Sequence, residues 1–86
     1  MNRAQANPSD LRRFARDLRA TRQEVTELVK RLERQSNGLD WDDGVKRKVD
    51  EDVRATGKAL MKFVARLDEH AREVEKKAGQ LESYLR

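Results

Sequence analysis

Ser36-Asn37-Gly38-Leu39-Asp40 is the one stretch after Pro8 that interrupts a helical pattern in this 86-residue sequence, and its reading decides the fold. Asn37-Gly38 ends a helix arriving from the N-terminal side, because glycine takes the left-handed C-cap conformation without a Cβ penalty, and Leu39 is placed for the hydrophobic contact that accompanies such caps. Backwards from there, Leu32, Leu28, Val25, Thr21, Leu18, Phe14 and Leu11 alternate in steps of four and three, a heptad seam with one polar member. The seam begins at a strong start signal: Asn7 as N-cap, Pro8 at the first helical position, and Asp10 near the positive helix end. Forwards, Asp40 is the expected cap of a second helix, with Trp41 in its first turn and Asp42 and Asp43 complementing the dipole. Val49, Val53, Thr56, Leu60, Phe63, Leu67, His70, Val74, Leu81 and Tyr84 continue the alternation and skip Lys77, while Val45, Met61, Val64, Ala71, Ala78 and Leu85 widen the stripe.

The expectation is an all-α protein, an antiparallel two-helix hairpin of coiled-coil type forming one domain over residues 1–86, with helix 1 over about 8–36, a turn at 37–41 and helix 2 over about 41–85. At ~1.5 Å per residue the helices measure roughly 43 and 65 Å, which leaves the C-terminal part of helix 2 overhanging with Leu81, Tyr84 and Leu85. A hairpin cannot cover so wide an apolar stripe by itself. Two hairpins dimerising into an antiparallel four-helix bundle would, with Leu11, Phe14, Leu18, Val25, Leu28, Leu60, Phe63, Leu67 and Val74 as the dimer seam.

Charge supports that arrangement. The net charge of +4 lies entirely in residues 1–38, with nine Lys/Arg against five Asp/Glu, whereas residues 39–86 hold eleven of each. Residues 37–52 carry six acids against three bases, so antiparallel pairing sets an acidic tip beside a basic open end.

Composition narrows the chemistry. No cysteine is present, which excludes disulfides, zinc-thiolate sites and thiol catalysis, and one histidine, His70, leaves no metal or general-base constellation. Its expected role is a polar seam position near water or a partner carboxylate. No phosphate loop, nucleophile elbow or acid-base pair is present, and Glu69 and Glu73 read as an ordinary exposed helix face, so the chain reads as non-enzymatic and without cofactor or metal. The longest apolar runs are triplets such as Ala59-Leu60-Met61, and Met1 to Asn7 lack an apolar signal region, so a soluble protein is expected, exported, if at all, by a non-Sec route.

With Leu11 and Phe14 near its start, Trp41 at the turn, Phe63 in helix 2 and a Leu81-x-x-Tyr84-Leu85 ending, the chain resembles the Trp-x-Gly family of ESX-type small helical hairpins, substrates of bacterial type VII secretion. The resemblance spans nearly the whole chain. Trp41, Asp43 and Gly44 would form the motif turn, as a Trp-x-Asp variant in which Gly44 comes one residue late, and Tyr84 and Leu85 would belong to the C-terminal tail. The family's export signal is Tyr-x-x-x-Asp/Glu, and Tyr84 is followed here by Leu85 and Arg86 alone. The resemblance implies a secretion substrate, partner or adaptor. It would act through a homodimer or a related small hairpin protein, with a larger helical effector and a membrane secretion ATPase as further partners.

Two other readings come from different classes. A structural coiled-coil dimerisation module would need Trp41 only for packing. A small basic DNA-binding protein would use Arg12, Arg16 and Arg19, which share one face of helix 1, yet no aromatic residue is interleaved with them and nucleic acid is disfavoured. Membrane binding is disfavoured as well, since the helix 1 stripe is narrow and heptad-like. Gly57, in the middle of helix 2, marks either a close helix approach or a mild kink.

Overall fold

The computed structural model describes residues 6–85. Two helices, α1 (Pro8–Asn37) and α2 (Gly44–Leu85), are joined by residues 38–43 and fold back on each other into a rod of 64 × 19 × 18 Å. The all-α antiparallel hairpin is therefore the observed architecture.

The start of α1 follows its sequence signals. The Asn7 side-chain oxygen accepts the otherwise orphaned Ser9 amide at 2.8 Å, and the Asn7 carbonyl accepts the Leu11 amide at 3.0 Å as the first regular helical bond. The other end of α1 departs from expectation. Gly38 is not left-handed but stays in the right-handed region, at φ −83° and ψ −4°. Its amide donates to the Arg34 carbonyl at 3.0 Å and the Leu39 amide to the Ser36 carbonyl at 3.3 Å. Tightening the last turn in this way satisfies the terminal carbonyls without an inverted residue, and Leu39 is exposed instead of packed on the helix end.

The second helix starts three residues later than the sequence suggests. Asp43, not Asp40, is its cap: the Asp43 carboxylate accepts the Lys46 amide at 3.0 Å and the Asp43 carbonyl accepts the Arg47 amide at 3.1 Å. Trp41 and Asp42 thus belong to the link and not to the first turn of α2. A six-residue link is what lets the chain reverse after a helix that ends without a left-handed residue.

Small side chains form the line of contact. Ala15, Ala71 and Ala78 have no exposed surface, and Val29, Val64 and Leu67 are buried with them. On α2 the covered positions 46, 50, 53, 57, 60, 64, 67, 71, 74, 78 and 81 repeat in steps of four and three. Gly57 faces Val29, whose Cγ1 would lie 3.2 Å from a Cβ at that position; close approach is the reason for this glycine.

The large-residue seam of α1 is not the centre of this contact. The centre lies one residue further round, at Ala15 and Val29, while Leu11, Leu18 and Val25 are half-buried and Phe14 and Leu28 are each 51% exposed. Alanine and glycine let the two backbones approach, and that approach displaces the bulky side chains to one edge. The expected C-terminal overhang is also shorter. Ser36 bonds Asp50 and Arg12 reaches Glu82, so the extra length of α2 divides between residues 44–49 at the tip and its last turn, where Leu81 is half-buried.

The two mid-helix glycines of α2 should respond oppositely to substitution. Nothing lies within 4 Å of a Cβ at Gly79, so Gly79→Ala raises stability by about 0.5–1 kcal/mol through helix propensity. Gly57→Leu lowers it by about 1–3 kcal/mol, because Val29 stands in the way. Urea denaturation followed by circular dichroism reads both.

Candidate functional site

Three surfaces arise from this packing: a structured tip, an apolar edge and a charged edge. At the tip, the Asp43 carboxyl is held below the usual carboxylate range by the Lys46 amide first and by the Trp41 indole N–H next. One aspartate therefore caps α2 beside the only tryptophan, which keeps 41% of its surface exposed. Beneath the link lies a polar clasp. The Lys46 stem is buried, its ammonium lies 2.6 Å from Asp50 Oδ2, and the Ser36 hydroxyl donates to the other Asp50 oxygen. Lys46 first and Ser36 second hold the Asp50 carboxyl low. The clasp fastens the end of α1 to the first turns of α2.

The motif residues of the turn do come together, with unequal roles. Asp43 caps α2 and Trp41 lowers its carboxyl, whereas Gly44 merely opens α2; its φ is not positive and nothing lies within 4 Å of a Cβ there. Tyr84 and Leu85 close α2 with their side chains largely in solvent.

The charged edge is a ladder of cross-helix ion pairs. Arg12 binds Glu82 through two nitrogens, at 3.1 and 2.5 Å, and Arg19 binds Glu75 likewise at 2.5 and 2.7 Å. Arg22 to Asp68, at 3.2 Å, is the next rung. These pairs are half-exposed, so they contribute more to alignment than to stability. Bonding to Arg19 holds the Glu75 carboxyl low, and the Arg12 and Arg19 guanidiniums are raised in turn by Glu82 and Glu75. Of the proposed basic patch, Arg12 and Arg19 are thus committed within the chain, and Arg16 alone is left to solvent.

The apolar edge lies opposite. Phe14 and Leu28 on α1, and Val49 and Phe63 on α2, each stand one residue before the contact row, whereas the ion-pairing residues Arg12, Arg19, Glu75 and Glu82 stand four after it. In an antiparallel pair, equal rotations from the contact row carry both helices' residues to the same side. The nine residues of the expected dimer seam therefore divide: Leu60, Leu67 and Val74 belong to the covered row of α2, and Leu11, Phe14, Leu18, Val25, Leu28 and Phe63 lie towards this edge. Leu67 is buried; Leu11, Leu18, Val25, Leu60 and Val74 are half-buried; Phe14, Leu28 and Phe63 are about half exposed, the last at 50%. His70 shares this edge, exposed, with Nδ1 3.5 Å from a Glu73 oxygen. No group of three or more potential metal ligands occurs among the described residues.

A fourth feature carries no signal in the apolar periodicity. Where the ion-pair ladder stops, Val29, Gly57, Met61 and neighbouring alanines line an open groove of about 730 Å³ bordered by Arg54, Lys58, Lys62 and Glu33. The spacing of Arg54, Lys58 and Lys62, each four apart, is the only sequence trace of it.

No family model, curated protein or solved structure matches the chain. No helix among the described residues is long and apolar enough to cross a membrane.

The low-set carboxyls fix the direction of the pH response. Asp43, Asp50 and Glu75 all titrate below their ordinary values when folded, so their stabilisation is present above those values and is lost as pH falls through the folded ones. The melting temperature should fall on acidification below about pH 4, and Asp43→Asn, which keeps a capping oxygen, should flatten the slope. A series of thermal melts from neutral to acid pH checks both.

Proposed function

We propose that this chain is a non-enzymatic ESX-like hairpin of the Trp-x-Gly type, a substrate, partner or adaptor of type VII secretion that acts through dimerisation. The observation that carries the proposal is the apolar edge. It runs along a rod 64 Å long and 19 Å wide, ample for the ~800 Å² per partner that a stable complex buries. Phe14, Leu28 and Phe63 stand half exposed on it, a waste of apolar surface for an isolated chain and a suitable face for a second hairpin. In the resulting four-helix bundle each charged edge stays outward.

The Trp41–Asp43 turn supports the same reading, because a tryptophan set two residues before the capping aspartate and 41% exposed is available at the end of the bundle to a larger helical effector or a membrane secretion ATPase. Antiparallel order rests on packing, because Arg12 and Arg19 are held by Glu82 and Glu75 of their own chain and Arg13 lies 4.0 Å from Asp10.

Sedimentation equilibrium should give a dimer at micromolar concentration, and Leu28→Asp with Phe63→Asp should give a monomer, since two charges would then be buried unpaired. Trp41→Ala should keep the dimer yet lose capture of the secretion ATPase or export in a bacterium carrying the system. A stable wild-type monomer sinks the dimer, and a Trp41→Ala protein that loses stability alone points to a plain coiled-coil module.

A further inference from the structure

The groove beside Gly57 lies on the charged edge, away from the apolar edge, and would stay open in a bundle dimer. Its floor is Val29, Gly57 and Met61, and its border carries Arg54, Lys58 and Lys62 against a single acid, Glu33. Among the described residues, Lys58 and Lys62 make no ion pair. The surface is apolar in the middle, cationic at the rim and about 730 Å³ in volume, room enough for a large aromatic side chain and its neighbours.

The chain also displays the complementary surface. Leu39-Asp40-Trp41-Asp42 projects from the tip with Leu39 and Trp41 both exposed; among the described residues Asp40 makes no ion pair, and Asp42 meets Arg47 only at 3.5 Å in solvent. The tip cannot reach the groove of its own chain. Its link is tied at one end by the bonds of Gly38 and Leu39 to α1 and at the other by the Asp43 cap, while the groove begins ten residues along α2, roughly 15 Å away.

We infer that the groove bordered by Arg54, Lys58 and Lys62 receives the Leu39–Asp42 tip of a second copy, with Trp41 on the apolar floor and Asp40 and Asp42 at the cationic rim. Donor and acceptor are different patches, so the contact is heterologous and does not close on itself. Every such assembly keeps a free tip at one end and a free groove at the other, and association propagates. One tryptophan and two acids form a contact well below the size of a stable interface, so it is weak, with dissociation in the range of roughly 0.1–1 mM, and salt weakens it further. It matters where the protein is concentrated, and it does not depend on the secretion reading.

Sedimentation velocity on the full chain tests it. At low salt the weight-average mass should climb past that of the basal species as concentration rises from about 10 µM to 1 mM, without a plateau, and fall back in 0.5 M salt. Trp41→Ala and the double variant Lys58→Glu/Lys62→Glu, checked for unchanged helicity and basal mass, should each abolish the climb. Mixed together they should associate again, because one supplies an intact groove and the other an intact tip. No climb in the wild type, or a mixture that stays silent, overturns the proposal. If Trp41→Ala still associates while the groove variant does not, the groove takes a different acidic element and the tip is wrong as its occupant.

Discussion

The distance between the two helices is the constraint from which the other features follow. Alanine at 15, 71 and 78 and glycine at 57 put almost no side chain between the backbones, so the helices come close and the contact they share is narrow. A narrow contact cannot hold phenylalanine or a full row of leucine. Those residues are turned to one flank, where they form a continuous apolar edge, and the long arginine stems are turned to the other, where they reach acids on α2.

The hairpin itself was legible because its signals are local. Asn7, Pro8 and Asp10 mark one start, and the Asn37-Gly38 break stands apart from Gly57 and Gly79, which sit singly inside an unbroken helical pattern. The interior of the hairpin was less legible for a physical reason: alanine and glycine contribute little to an apolar period, so the eye follows Leu11, Phe14, Leu18 and Leu28, which are periodic because they share an edge and not because they fill the core. The sequence stripe was real, but it belongs mainly to a surface. The tip was ambiguous in another way. Asp40, Asp42 and Asp43 are chemically identical candidates for one cap, and the choice falls to Asp43, whose carboxylate receives the Lys46 amide where the six-residue link ends.

Partition of the two edges also bears on which site residues could be read from spacing. Arg12, Arg16 and Arg19 do share a face, as helical geometry requires, yet sharing a face says nothing of what stands opposite. Glu75 and Glu82 stand there for Arg19 and Arg12, and no pattern within α1 could have announced them. The groove beside Gly57 was hidden likewise, since it exists only where two helices meet and the ladder of ion pairs gives out.

A rod two helices wide has a consequence for how it comes apart. Each turn is supported by the turns before and after it and by one neighbour across the seam, with no third layer to lock any segment in place. The ends are unequal, because the clasp of Lys46, Asp50 and Ser36 and the cap at Asp43 fasten one of them, while the other is fastened chiefly by Arg12 and Glu82 at the surface. Thermal opening then runs like a zipper from the free end towards the link, and amide hydrogen exchange along both helices would be graded in that direction instead of shared by the whole molecule.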